Sequence, residues 1–150
     1  MKTTAILRLS LPLLGVLGLL KATSCRPQAE TGRVDFASEI KPLLEKQCVN
    51  CHQSGSLMGD LNLENHTLAT RNHPHGQVIK AGDPEHSLLY TVLVLQASAR
   101  QAMPPGGHRI EKERVELIKR WIEQGATWPG GPEGVVHPKV DPGARFGTKS

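Results

Sequence analysis

The segment Cys48-Val49-Asn50-Cys51-His52 carries the residues best suited to chemistry in this chain. Two thiols three residues apart lie on one face of a helical turn. Such thiols can add to the two vinyl groups along one porphyrin edge, and the histidine that follows can ligate the iron. Cys-x-x-Cys-His is the attachment motif of c-type haem. The spacing predicts one covalent haem, with Cys48 and Cys51 as thioethers and His52 as an axial iron ligand.

Other uses of the two thiols fit the sequence less well. A structural zinc site needs four ligands, usually with a second Cys or His pair at a set spacing. No cysteine follows Cys51, and His73-Pro74-His75 lacks that spacing. A thioredoxin-like redox pair needs a strand–helix–strand context, which the flanking sequence does not show. A non-haem exported module that binds a partner through the two thiols is kept as a further alternative.

Met103 is predicted to be the second axial ligand of the iron. It follows His52 by 51 residues and precedes two prolines, Pro104 and Pro105. Prolines fix φ and hold the preceding residue extended, so they stiffen the loop that presents the sulfur. Met58 is a rival, but only six residues separate it from the proximal histidine. Bis-histidine iron is the other alternative, with five candidates: His66, His73, His75, His86 and His108.

Residues 1–24 are interpreted as an export signal. Lys2 and Arg8 give a positive start, and residues 9–20 form an apolar segment of 12 residues interrupted by proline and glycine. This segment is too short to cross a bilayer, which takes about 20 apolar residues. An uncut N-terminal anchor is the alternative interpretation. Residues 25–33 are predicted to be a linker.

Cys25 follows three small residues in a context that resembles the processing site of bacterial lipoproteins. With Cys48 and Cys51 assigned to haem, this cysteine has no disulfide partner in an oxidising compartment. A lipid on its thiol would explain the odd cysteine and tether the protein to a membrane. Ala22-x-Ser24 also suits ordinary signal cleavage, so a soluble exported form stays open. Both alternatives predict a periplasmic protein.

Composition and charge limit the classes of partner. Lys2, Arg8 and Lys21 are three of the 18 basic residues, so 15 remain outside the leader against 14 acidic ones. The mature charge is therefore about +1, and no clustered basic face indicates nucleic-acid binding. Two Trp, two Phe and one Tyr are few aromatic residues for a core, which a haem would complete.

The first predicted helix leads directly into the haem motif. Apolar residues at positions 36, 40, 43 and 44 fall on one helical face. Pro42 lies inside this pattern, so the helix either begins near Ser38 or is kinked at the proline.

Two further helices are predicted in the second half of the chain. One opens at Asp83, with Pro84 at its first position, and carries an apolar face through Leu95. The other covers residues 112–124 and ends at Gly125. Residues 61–63 could form a very short strand.

The fold class predicted is mostly α, with three to four helices wrapped around one covalent haem. The domain is expected over residues 34–128, followed by an extended Pro/Gly-rich tail over residues 129–150. The residues predicted to pack against the haem are Leu43, Leu44, Leu61, Leu63, Leu89, Val92, Ile118 and Trp121.

Five segments follow one another in a specific order. They are Val34-Asp35-Phe36…Ile40-Lys41-Pro42-Leu43-Leu44 with the haem motif, Gly59-Asp60-Leu61-Asn62-Leu63, Ala81-Gly82-Asp83-Pro84…Ser87-Leu88-Leu89, Met103-Pro104-Pro105, and Trp121-Ile122-x-x-Gly125-Ala126. In this order they resemble planctomycete-type cytochrome c domains, with Ala81 where that family usually has proline. The resemblance spans residues 34–128. It implies a cytochrome c fold, one haem c, and His52 and Met103 as axial ligands.

These features predict an electron carrier. Iron held by histidine and methionine is six-coordinate, so no position is open for oxygen or peroxide. We therefore expect no enzymatic activity and expect redox partner proteins in an extracytoplasmic electron-transfer chain. The alternative is a haem enzyme or gas sensor in which the sixth ligand is displaceable.

Overall fold

The structure, a computed structural model, describes residues 32–71 and 73–139. The predicted signal peptide and Cys25 lie outside the described residues, as does the tail beyond residue 139. The described residues are mostly helical. Within these two ranges, no helix combines the length and the hydropathy that crossing a bilayer would require.

Four α-helices form the framework: α1 (Lys41–Gln47), α2 (His66–Ala69), α3 (Leu88–Val94) and α4 (Lys112–Glu123). A π-helical segment, Phe36–Ile40, runs directly into α1, and short 3-10 turns cover Met58–Asp60, Pro84–His86 and Gly131–Gly134. Two strands of two residues each, β1 (His52–Gln53) and β2 (Ser56–Leu57), pair antiparallel next to the haem motif.

The first helical segment begins at Phe36, so the start near Ser38, one of the two alternatives from the sequence, is wrong. The Asp35 carboxylate accepts a hydrogen bond from the Ser38 N–H at 2.8 Å, which caps the first turn. Pro42 is the second residue of α1, directly after the change from π-helical to α-helical geometry. Proline has no N–H, and the first turn of an α-helix is where that missing donor is tolerated. The segment then continues to Gln47.

The helix predicted from Asp83 is interrupted at Ser87, and in this respect the prediction is wrong. Asp83 caps a short 3-10 turn, and α3 begins only at Leu88. Ser87 is extended and fully buried, and its hydroxyl donates to the Asp83 carbonyl at 2.9 Å and accepts from Lys80 N–H at 2.8 Å. Serine side chains that bond to nearby backbone compete with helix in this way. Leu95, predicted on the apolar face, lies past the helix end.

Helix α4 is the element that the sequence predicts best. It covers Lys112–Glu123, and Gly125 follows with a positive φ of 98°, as a residue after a helix end requires. The Ala126 N–H then closes the end by donating to the Trp121 carbonyl at 2.8 Å. The strand suggested at residues 61–63 is absent, because Asn62 forms a side-chain turn with the Glu64 N–H instead.

One hydrophobic core joins these elements. The Phe36 ring lies 5.9 Å from Trp121 and 4.6 Å from Trp128, measured between ring centroids. All eight residues predicted to line the haem belong to this core or pack on it. Buried are Leu43, Leu44, Leu63, Leu89, Ile118 and Trp121; partly buried are Leu61 and Val92.

The domain extends beyond the predicted boundary at residue 128, which is a correction to the sequence analysis. Trp128 donates from its indole Nε1 to the Gly134 carbonyl at 2.7 Å. Val136 is fully buried, and its N–H donates to the Glu64 carbonyl at 2.8 Å. Prolines and glycines exclude a long helix here, but they do not prevent packing against the core. The segment 129–139 therefore belongs to the folded domain.

Replacing Val136 with alanine tests this boundary. We expect Val136→Ala to lower the free energy of unfolding by about 2 kcal/mol, since it removes fully buried methyl groups and leaves a cavity. The neighbouring half-buried Val135→Ala is the control and should cost under about 1 kcal/mol. Urea denaturation of the purified protein measures both. Equal effects near zero would mean that the segment is an unpacked tail.

Candidate haem site

The haem motif is placed by the end of α1. The Cys48 N–H donates to the Leu44 carbonyl at 3.0 Å, and Val49, which is fully buried, anchors the following residue in the core. The chain then turns, and the N–H groups of Cys51 and His52 both donate to the Cys48 carbonyl at 3.1 Å. The two thiols and the imidazole are thus presented by a single tight turn just after the helix, close to the helical turn that the spacing predicts.

Both cysteines carry free thiols in this turn, but their surroundings differ. Cys48 packs against the hydrophobic core, whereas Cys51 is exposed. Burial raises the pKa of the Cys48 thiol to about 12, and the nearby Cys51 adds to this effect. The Cys48 sulfur is therefore a neutral thiol at neutral pH. A ligand attached to both sulfurs along one edge would have one end of that edge at the surface and the other against the core.

The His52 imidazole is held in one tautomer by the backbone. Its Nδ1 lies 2.8 Å from the Met58 carbonyl oxygen, and because a carbonyl can only accept, Nδ1 carries the proton. The Nε2 lone pair is then available, and no hydrogen bond within residues 32–71 and 73–139 occupies it. Burial lowers the pKa of His52, which favours the neutral form that binds metal. Histidine ligands of metals usually donate their second nitrogen in this way.

A strained turn positions the carbonyl that His52 uses. Gly59 and Asp60 both have positive φ, 68° and 58°, in the 3-10 turn that begins at Met58. His73 holds the same turn, with Nε2 2.7 Å from the Gly59 carbonyl and Nδ1 accepting from the His75 N–H at 3.3 Å. Sequence reasoning missed this support for His52. In the sequence, glycine at position 59 is the only local signal of this turn.

Most rival axial ligands have other roles or positions in the structure. The Met58 side chain is 58% exposed, and its carbonyl serves His52 instead. Both ring nitrogens of His73 are engaged by backbone groups. His86 pairs with the Asp83 carboxylate at 2.9 Å, and the His66 ring lies against the edge of Trp128. The last two, His75 and His108, are exposed.

Met103 lies in the loop between α3 and α4, as predicted. Its side chain is partly buried and packs against the hydrophobic core. Its N–H donates to the Val92 carbonyl at 2.9 Å, which fixes the loop to the last turns of α3. The neighbouring Ala102 is buried, so the loop is anchored on both its backbone and its side chains.

Two clefts lie away from these donors. The larger, of about 690 Å³, runs between α2 and residues 129–137, and the smaller, of about 300 Å³, lies among residues 54–78. Neither cleft is lined by the motif residues or by Met103. Residues 32–71 and 73–139 contain no cluster of three or more His, Cys, Asp or Glu side chains able to hold a metal ion. Two thiols and one neutral imidazole are the donor set of c-type haem, and they fall short of four zinc ligands.

The helical fold and this donor set are compatible with a cytochrome c-like domain. Residues 48–107, from the first motif cysteine into the Met103 loop, match the family model of planctomycete cytochrome C. This match supports a planctomycete-type cytochrome c domain over these residues. Such a domain implies haem c binding and suggests electron transfer by haem. No protein with a curated description and no solved structure matches the sequence significantly.

Alanine at position 59 tests the turn that supports His52. We expect Gly59→Ala to lower the free energy of unfolding by about 1 kcal/mol, because alanine is strained at a φ of +68° although its Cβ would meet no atom within 4 Å. The matched control is Gly55→Ala, where space is equally open and φ is not positive; it should change stability by less than about 0.5 kcal/mol. Urea denaturation compares them, and indistinguishable values would contradict this geometry.

Proposed function

We propose that this protein is an exported electron carrier with one haem c attached through Cys48 and Cys51. His52 and Met103 would be the two axial ligands of the iron. The observation that best supports this proposal is the tautomer of His52. Its Nδ1 proton is committed to the Met58 carbonyl, and burial lowers the pKa of the ring and favours its neutral form. The imidazole is therefore oriented and free at Nε2 directly after two free thiols.

The two cysteines would form the covalent attachment. Each S–H would add across one vinyl group, with the sulfur bonded to one vinyl carbon and the thiol hydrogen on the other. This addition balances without an oxidant or a reductant. Two thioether bonds keep the cofactor in place outside the cytoplasm, where free haem would be lost by dilution. The core residues already in contact with Cys48 would exclude water from the attached edge.

The axial residues would set the chemistry. Bound haem supplies a one-electron couple between ferric and ferrous iron. The Met58 carbonyl increases the basicity of His52, and a thioether from Met103 favours the ferrous state. With both positions filled, the site would accept no oxygen or peroxide, so the protein would be a carrier and not an enzyme. An enzyme or gas sensor would need Met103 to leave the iron.

Location and partners rest on the sequence. The leader over residues 1–24 supports export, since attachment of haem c takes place outside the cytoplasm. We place the protein in the periplasm, with redox proteins as partners and a lipid at Cys25 as a tether to the membrane.

Mass spectrometry of the mature N-terminus tests the tether. Lipidation predicts that Cys25 is the first residue and carries acyl groups that add mass to the N-terminal peptide. The same peptide with unmodified Cys25, or a cut at another position, would contradict lipidation and leave the haem proposal unaffected.

An optical spectrum of protein matured in an export-competent host tests the haem and its ligands. We expect a sharp reduced c-type α band and, in the oxidised form, a weak methionine–iron charge-transfer band. Met103→Ala should abolish that band and let the reduced protein bind carbon monoxide. Met58→Ala is the matched control, because that exposed side chain is not a ligand, and its spectrum should equal the wild type.

Each failure of this test has a distinct meaning. Colourless protein after correct secretion would overturn the haem proposal as a whole. An unchanged low-spin spectrum in Met103→Ala would show that another residue is the sixth ligand. High-spin ferric iron in the wild type would favour the enzyme or sensor alternative.

A further inference from the structure

The guanidinium of Arg109 lies at the C-terminal end of α3, against backbone carbonyls. Nη2 donates to the Leu95 carbonyl at 2.6 Å and also to the Leu93 carbonyl. Nη1 donates to the Met103 carbonyl at 3.4 Å, the longest of the three contacts. The side chain is partly buried. One residue therefore bridges the end of a helix and the loop that carries the predicted sixth ligand.

The location of the Arg109 guanidinium at the end of α3 has a clear physical basis. The last carbonyls of an α-helix have no partner within the helix, and the helix dipole makes that end negative. A cation with several N–H donors in a planar fork satisfies both requirements. No carboxylate lies within 4 Å of Arg109 among the residues described, and residues 87–110 contain no Asp or Glu. The guanidinium thus directs its donors to backbone carbonyls and not to an ion pair.

Met103 is tied to α3 at both of its backbone groups. Its N–H donates to Val92, and its carbonyl accepts from Arg109, which itself holds the carbonyls at the helix end. Removing the guanidinium would release the second tie directly and leave the first without its support at the helix end. It would also expose the end of α3, to which the remaining tie is attached.

We propose that Arg109 is a positioning residue that clamps the Met103 loop to the end of α3 and thereby keeps the sulfur on the iron. This inference rests on the proposed function, in which Met103 is the sixth ligand. Arg109 acts through the backbone of Met103, so its loss should weaken the thioether ligand without removing the haem. The clamp makes the Met103 sulfur harder to displace from the sixth position.

Competition by imidazole for the sixth position of the haem-loaded, oxidised protein measures the clamp. We expect Arg109→Ala to bind imidazole about tenfold more tightly than the wild type, the size of effect that loss of a charged hydrogen bond gives. Hydrogen exchange at the Met103 amide should accelerate as well. Arg109→Lys should behave similarly, because one ammonium cannot replace the planar fork.

Two controls separate the clamp from other effects. Arg114→Ala removes a guanidinium that, among the residues the structure describes, pairs with the Glu111 carboxylate at 2.8 Å. Val136→Ala destabilises the domain through a segment outside the Met103 loop. Both should bind imidazole like the wild type. If either control bound imidazole as tightly as Arg109→Ala does, the clamp would be overturned in favour of a general loss of charge or stability.

Met103→Ala, measured in parallel, distinguishes a wrong ligand assignment from a wrong clamp. If that variant keeps the wild-type spectrum, the ligand assignment of the proposed function is wrong. If its spectrum changes while the Arg109 variants bind imidazole as the wild type does, only the clamp is wrong. Should Arg109→Ala fail to accumulate, Arg109→Lys decides by the same measurement.

Discussion

The hydrogen bond from His52 Nδ1 to the Met58 carbonyl is the interaction on which the site depends. It selects the tautomer, fixes the plane of the ring and leaves the Nε2 lone pair free to bind a metal. The carbonyl can reach the ring only because the chain turns through Gly59 in a left-handed conformation. His73 secures the same turn from the other side. A short irregular loop, and not a helix, therefore orients the His52 ring.

Side chains that bond to backbone replace regular structure over much of this domain. Helices α1, α3 and α4 supply much of the core, and the long segments between them must be held against it. Ser87 and Arg109 meet this need at the start and at the end of α3. Trp128 does the same for the segment that follows α4. Each uses polar atoms to hold a loop against an apolar core.

Local signals in the sequence predicted the elements that local physics controls. Helix α4 and its end at Gly125 follow from apolar periodicity and a glycine that tolerates positive φ. The cap at Asp83 was predicted correctly, whereas the break at Ser87 was not, because it depends on bonds to residues four and seven positions away. The domain boundary failed for a similar reason. Composition marks residues 129–139 as non-helical but says nothing about the burial of Val136.

The sequence by itself determined the kinds of donor atom and their spacing, since Cys48, Cys51 and His52 are adjacent in the chain. The export signal and the lipid at Cys25 are likewise sequence predictions. Only the tertiary structure decided which nitrogen of His52 is free, which thiol faces the core, and what holds the Met103 loop. These properties arise from contacts between separate segments of the chain. Local patterns do not encode such contacts, because they form only when the core brings those segments together.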